Sequence, residues 1–270
     1  MPVSTLILRF FSWIAGLSFR NKIRLVWFTL VTIFMGWLII SYQVMGVDKK
    51  IMESDRQVWV EDTDEFITFS PVHHPYALTF IFYPGAMVSA KSYAPFARAI
   101  ALQGYRTIII KMPFRMASLC HEKALEIINK TKTTQQWVLG GHSLGAAKAA
   151  QFAYEHPGLL QGLILIGTSH PRELNLSGLP LAVTKIYASQ DGLASVEEVM
   201  QYQKNLPATT DFVKIQGGNH AQFGYYGTYQ LGDCPASISR EIQQELSIKA
   251  TVNALQKIQK AGAQQISGND

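Results

Sequence analysis

The sequence predicts an α/β fold, in which a mostly parallel sheet is covered by helices on both faces, preceded by one N-terminal transmembrane helix. Apolar, β-branched runs alternate with helical patterns between residues 66 and 260. Several of the runs, such as 105–111, are apolar at successive positions, as is typical of strands buried on both faces. Ahead of them, residues 25–47 form an apolar stretch with no charged residue.

Seven runs are predicted as strands: 66–70, 77–83, 105–111, 135–140, 160–168, 182–189 and 211–216. Helical patterns cover 91–103, 117–131, 144–156 and 195–206, and a longer amphipathic stretch covers about 238–260. Since no helix separates the first two runs, we expect an antiparallel hairpin at the start of the sheet. Ligands of such sheets bind beyond the carboxyl ends of the strands, so a catalytic residue should directly follow a strand.

The uncharged N-terminal run is long enough to cross a bilayer core, which takes about 20 residues in a helix. Arg20, Lys22 and Arg24 precede it, and the positive-inside rule places such residues in the cytoplasm. A cleaved signal peptide has a shorter apolar core that ends in small residues, so we expect an uncleaved signal anchor. The expected segments are a basic cytoplasmic tail at 1–24, partly interfacial, a single-pass membrane helix at 25–47 and an extracytoplasmic domain at 48–270.

Charge and cysteine content limit the classes of partner. The formal net charge is +5, but the first 47 residues hold four basic residues and no acidic one. The rest of the chain carries 20 Lys and Arg against 19 Asp and Glu, so we expect no nucleic-acid partner. Two cysteines, Cys120 and Cys234, are too few for a disulfide scaffold or a tetrathiolate zinc site. One disulfide between them and two free thiols are both compatible with the sequence.

The stretch WVLGGHSLGAAKAA, residues 137–150, contains a candidate nucleophile. Ser143 follows a predicted strand, opens a predicted helix and lies between Gly141 and Gly145. In a sharp strand-to-helix turn, glycine at both positions removes the Cβ atoms that would collide with neighbouring backbone. The turn also sets the serine at a helix N-terminus, where backbone N–H groups favour negative charge. The alternative is an ordinary connection with an incidental serine.

A nucleophilic serine needs a general base, and the base needs an acid that fixes its tautomer. His220 follows the last predicted strand in a glycine-rich loop, and His170, which follows an earlier strand, is a weaker candidate. Asp191 directly follows the strand at 182–189 and is the preferred acid. Glu173, just past the preceding strand, is the alternative.

Two backbone N–H groups are candidates for an oxyanion hole: that of Leu144, after the serine, and that of Ala86, in the loop FYPGAMVSAKSY. The alternative for this loop is that Pro-Gly marks only a turn. Met87 lies behind Ala86 as a candidate pocket residue. Three aromatic residues follow the histidine and either line an apolar pocket or pack the loop: Phe223, Tyr225 and Tyr226.

Together, the order Ser143, Asp191, His220, the elbow GHSLG, the loop YPGA and the segment GGNHAQFGYYG resemble the α/β-hydrolase superfamily over about residues 64–262. More narrowly, they resemble small, lidless members related to the dienelactone-hydrolase branch. The resemblance implies a Ser-His-Asp triad that hydrolyses carboxyl esters or related acyl bonds of small molecules, without a metal or an organic cofactor.

Two departures from these relatives matter. Dienelactone hydrolases use a cysteine nucleophile, so their substrate does not carry over to a chain with Ser143. Many lipases insert a lid after the strand that corresponds to 160–168. Here only about 13 residues separate this strand from the next one, at 182–189, so we expect an open pocket. Two other functions stay open at this point: an inactive hydrolase fold that serves as a membrane-tethered interaction module, and an acyltransferase with the same triad.

Overall fold

A computed structural model describes residues 3–73, 78–131, 136–227 and 230–267. The chain divides into two compact units, Met1–Ser41 and Tyr42–Asp270. The first unit contains two helices, α1 (Val3–Ala15) and α2 (Phe19–Ser41). The predicted boundaries between the N-terminal tail, the apolar segment and the C-terminal domain, at residues 24 and 47, stay predictions.

The predicted transmembrane helix over 25–47 is not supported. Across the residues that the structure describes, no helix combines the length and the apolar character that crossing a membrane requires. Helix α2 takes in the basic residues ahead of the apolar run and ends at Ser41. Directly after Ser41 the chain is no longer helical. The Met45 N–H donates to the Tyr225 carbonyl at 2.9 Å, and Val44 forms an isolated antiparallel β-bridge with Tyr226. The predicted location of residues 48–270 outside the cytoplasm is not tested by the fold.

The second unit is built on one eight-stranded sheet with the order β1-β2-β4-β3-β5-β6-β7-β8. Strand β2 is antiparallel to β1 and to β4, and every other neighbouring pair is parallel. The strands are β1 (Val58–Asp62), β2 (Phe66–Pro71), β3 (Leu78–Tyr83), β4 (Arg106–Ile110), β5 (Gln136–His142), β6 (Gly162–Ile166), β7 (Ala182–Ala188) and β8 (Asp211–Ile215). The prediction of a mostly parallel sheet is confirmed.

All seven predicted strands are present, with ends that shift by a few residues; positions 77 and 135 lie outside the described residues. Strand β1 was not predicted. The expected hairpin between the first two predicted strands is wrong, because β2 pairs with β1 and β4 while β3 lies on the far side of β4. The antiparallel hairpin of this sheet is β1–β2, in which Val58 lies opposite Pro71.

Helices cover both faces of the sheet, as predicted. Alternate residues of β3 enter two separate cores: Phe80 and Phe82 pack with residues of α3 and α7, whereas Ile81 and Tyr83 pack with residues of α4 and α5. Both faces are therefore buried, which explains the continuous apolar run of this strand. The helices of this unit are α3 (Ala94–Leu102), α4 (Lys123–Lys130), α5 (Leu144–Glu155), α6 (Val196–Gln201) and α7 (Arg240–Ser267).

Candidate active site

Ser143 lies in the tight turn between β5 and α5. Its backbone has φ 55° and ψ −121°, a region that non-glycine residues rarely adopt. A Cβ atom on Gly141 would lie 2.6 Å from the carbonyl carbon of Gly145. A Cβ atom on Gly145 would lie 2.2 Å from the backbone carbonyl oxygen of Tyr83. Glycine at both positions is therefore required by the backbone packing that holds Ser143 in this conformation.

His220 and Asp191 form a buried pair on the loops after β8 and β7. Nδ1 of His220 lies 3.0 Å from Oδ1 and 2.9 Å from Oδ2 of Asp191. Oδ1 of Asp191 also accepts the N–H groups of Leu193 at 2.9 Å and of Ala194 at 2.7 Å, so the carboxylate is fixed in place. Since an ionised carboxylate only accepts, Nδ1 of His220 carries the proton, and Nε2 is left able to accept one.

Ser143 and His220 line the same open cavity of about 210 Å³, at the carboxyl end of the sheet. Among the described residues, the buried Nε2 of His220 has no hydrogen-bond partner. The serine hydroxyl therefore does not donate to His220 in this structure. Such looser contacts are common in the absence of substrate.

The cavity is also lined by His170 and Arg172. Burial, together with the nearby charges of Arg172 and Lys185, lowers the pKa of His170. The guanidinium of Arg172 donates to the Ser169 hydroxyl and to Glu198, so its charge is partly neutralised. His170 thus lies in the site but has no carboxylate partner like that of His220 among the described residues, and the alternative acid Glu173 is exposed.

The loop with Ala86 lies against the residue that precedes the nucleophile. The Tyr93 hydroxyl accepts the Gly85 N–H at 3.1 Å and lies 2.8 Å from Nδ1 of His142. Burial, together with the neighbouring His220, lowers the pKa of His142 well below its usual value, so this imidazole is neutral. Tyr93 therefore joins the loop that ends β3 to the elbow that ends β5, the two segments with the candidate oxyanion donors Ala86 and Leu144.

The four candidate pocket residues lie elsewhere, and none is among the described residues that line the cavity. Phe223 and Tyr226 are buried in the core, because the chain turns inward after His220. The Tyr225 N–H donates to the Ser92 carbonyl at 2.8 Å, and its ring packs against Arg240. Met87 is exposed beside Arg115. The sequence left open whether the three aromatic residues line a pocket or pack the loop; in this structure they pack the loop.

The buried carboxylate of Asp233 holds the two loops of the His-Asp pair together. Oδ1 accepts the N–H groups of Gly192 at 3.1 Å, His220 at 3.2 Å and Cys234 at 2.9 Å, while Oδ2 accepts that of Ala221 at 2.9 Å. Asp233 thus fixes the backbone beside both the acid and the base. The sequence carries no signal for this role, because all but one of the donors come from distant positions in the chain. Cys234 beside it and Cys120 are both free thiols.

We expect Asp233→Asn to lower kcat by about 10²-fold with little change in KM, because small misplacements of a catalytic group have effects of this size. An amide has one acceptor oxygen, and its NH2 group would face an N–H donor. The measurement is steady-state kinetics on an ester together with the melting temperature.

Asp211→Asn is the matched control, because among the described residues the Asp211 side chain pairs only with the exposed Lys257, and surface pairs contribute at most about 1 kcal/mol. A lower melting temperature of Asp233→Asn with unchanged kcat would show that Asp233 stabilises the fold without positioning His220.

Comparison with known proteins agrees with the fold described above. The profile of the alpha/beta hydrolase family matches residues 79–245, more than half of the chain. The chain belongs to the alpha/beta hydrolase family. The matched residues of this hydrolase run from β3 to α7 and include Ser143, Asp191 and His220. None of the curated proteins matches the sequence.

Solved structures similar to this hydrolase share its fold at low identity. A monoglyceride lipase from Saccharomyces cerevisiae is 10% identical, with a TM-score of 0.54 over 77% of this chain and 97% of its own. An alpha-beta serine hydrolase homologue from Coxiella burnetii is 15% identical, with a TM-score of 0.52 over 73% and 98%. Est1E from Butyrivibrio proteoclasticus is 14% identical, with a TM-score of 0.51 over 74% and 99%.

Proposed function

We propose that this protein is a serine hydrolase that cleaves carboxyl esters or related acyl bonds through Ser143, His220 and Asp191. The observation that carries the proposal is the buried pair of His220 and Asp191, joined at 2.9 Å, beside a cavity that Ser143 also lines. An oriented carboxylate on one ring nitrogen and an accepting nitrogen on the other are what a general base needs.

In the proposed acylation, Oγ of Ser143 attacks the acyl carbon while Nε2 of His220 takes the hydroxyl proton. The carboxylate of Asp191 stabilises the imidazolium that forms. The carbonyl oxygen becomes an oxyanion, which accepts hydrogen bonds from the N–H groups of Leu144 and Ala86. The bond to the leaving alcohol breaks, and the alcohol takes the proton from Nε2.

Deacylation repeats these steps with water. His220 takes a proton from a water molecule, whose oxygen attacks the acyl-enzyme carbonyl. The collapse of the second oxyanion breaks the bond to Oγ, and Ser143 recovers its proton from Nε2. The product acid then leaves through the open cavity.

The cavity that Ser143 lines is small for a ligand site. Its volume of about 210 Å³ is below the roughly 300–1,000 Å³ of sites that enclose a drug-sized ligand. We therefore propose that acetyl and butyryl esters are better substrates than long-chain esters.

The test is turnover of p-nitrophenyl esters of graded acyl length by the full chain, with products identified in water and with an added alcohol. The proposal predicts release of the free acid, fastest for the short esters. Acyl transfer to the alcohol in preference to water would make the protein an acyltransferase with the same triad. No turnover of any ester by the folded protein would contradict the proposal and favour an inactive interaction module.

A further inference from the structure

A second cluster of titratable side chains lies away from the cavity, where the turn before α4 meets the C-terminal end of α5. Nε2 of His121 is 2.7 Å from Oε2 of Glu155 and 3.4 Å from Oε1 of Glu122. One ligand atom of each of these three residues lies within 4.8 Å of the other two. The side chains are partly exposed, so an ion from solution can reach them.

The second oxygen of each carboxylate is held by a separate donor. His156 lies with its Nε2 2.8 Å from Oε2 of Glu122. Nε2 of Gln151 donates to Oε1 of Glu155 at 2.8 Å, and Gln151 in turn accepts from Lys148. One oxygen of each carboxylate is therefore hydrogen-bonded to a supporting side chain, and the other oxygen is directed to His121. Carboxylates that ligate metals are commonly supported in this way.

The backbone of the cluster is fixed as well. The buried Tyr83 hydroxyl donates to the carbonyl of His121 and accepts the N–H of Ala124 at 3.2 Å. Glu155 is the last residue of α5. The ligand atoms thus come from two segments whose backbone is held in place, the turn by Tyr83 and Glu155 by helix α5.

We propose that His121, Glu122 and Glu155 form a binding site for a divalent transition-metal ion of the zinc type. One imidazole nitrogen and two carboxylate oxygens suit Zn²⁺, whereas Mg²⁺ and Ca²⁺ prefer oxygen ligands alone. Ligand atoms about 2.1 Å from a tetrahedral zinc ion lie about 3.4 Å apart. The separation of His121 and Glu122 already has this value, and the 2.7 Å hydrogen bond between His121 and Glu155 would give way to the ion as Nε2 loses its proton. Three protein ligands leave the fourth position for water.

A bound ion would join the turn before α4 to the end of the helix that begins next to Ser143. Because binding stabilises only the folded state, zinc should raise the melting temperature in proportion to the logarithm of its excess over Kd. The ion lies at the far end of α5 from the proposed nucleophile, so this role is separate from ester cleavage and is tested without measuring activity.

The test is isothermal titration calorimetry of the full chain with ZnCl2 after removal of metals, together with thermal unfolding. We expect one zinc ion per chain and no binding of Mg²⁺. His121→Ala should weaken zinc binding by more than about 100-fold, beyond the loss of a supporting partner. His156→Gln, which removes only such a partner, should weaken it by about 10- to 100-fold.

His73→Ala is the matched control, because His73 is an exposed histidine outside the cluster, and its zinc affinity should equal that of the wild type. Glu155→Gln provides a second ligand variant if His121→Ala does not fold, and it should also lose zinc binding. The proposal is overturned if the ligand variants bind zinc as tightly as the wild type, or if the wild type shows no heat of binding at millimolar zinc.

Discussion

Replacing Asp191 with Asn is expected to lower kcat by about 10⁴-fold while the protein stays folded. The amide oxygen can still accept the N–H groups of Leu193 and Ala194, which now bind Oδ1. The amide NH2 group, however, takes the place of Oδ2, 2.9 Å from Nδ1 of His220, and as a donor there it favours the tautomer with the imidazole proton on Nε2. Nε2 can then no longer take the proton of Ser143, so the nucleophile loses its base.

The measurement is kcat on a short-chain p-nitrophenyl ester, with circular dichroism to confirm folding. Glu173→Gln is the matched control, because Glu173 is the other acid that the sequence allows and is exposed in the structure. We expect it to keep wild-type kcat. A large loss in Glu173→Gln together with an active Asp191→Asn would assign the acid to Glu173 and contradict the geometry described above.

Gly145→Ala should have the largest effect on stability, with a loss of about 3 kcal/mol or more in the free energy of unfolding. The new Cβ would lie 2.2 Å from the backbone carbonyl oxygen of Tyr83 and 2.4 Å from that of Pro84. Both are backbone atoms of the segment that ends β3, so the clash is relieved only if α5 or that segment moves. Either movement displaces Ser143 or the loop with Ala86, and activity should fall as well.

Chemical denaturation of the variant measures this loss. Gly178→Ala is the control, since a Cβ there meets no atom within 4 Å, and its stability should stay within about 0.5 kcal/mol of the wild type. Equal stability of Gly145→Ala and Gly178→Ala would show that the turn at Ser143 tolerates a side chain, against the close packing described here.

The features that the sequence predicts correctly depend on local patterns. Strands such as β3 and β6 are buried on both faces, so the run of apolar residues reveals them without knowledge of their neighbours. The turn at Ser143 is predictable because its glycines meet a steric need of the turn itself. Asp191 and His220 were predicted from their places after strands, and the structure brings these two residues together.

The features that the sequence does not predict depend on contacts between distant segments. Strand β1 escapes prediction because it is a short edge strand whose residues are mostly exposed. Asp233 accepts N–H groups from the loops after β7 and β8, and nothing near position 233 indicates those partners. The apolar run at 25–47 also does not predict where its helix ends: α2 stops at Ser41, and Val44 and Met45 pair with Tyr226 and Tyr225.

The most direct test of the proposed function is whether Ser143 is an activated nucleophile. A fluorophosphonate probe is added to the folded wild type, Ser143→Ala and Ser177→Ala, and the labelled peptide is mapped by mass spectrometry; Ser177 is an exposed serine outside the cavity. We predict one label on Ser143 in the wild type and in Ser177→Ala, and none in Ser143→Ala. Equal labelling of wild type and Ser143→Ala would contradict the proposed mechanism.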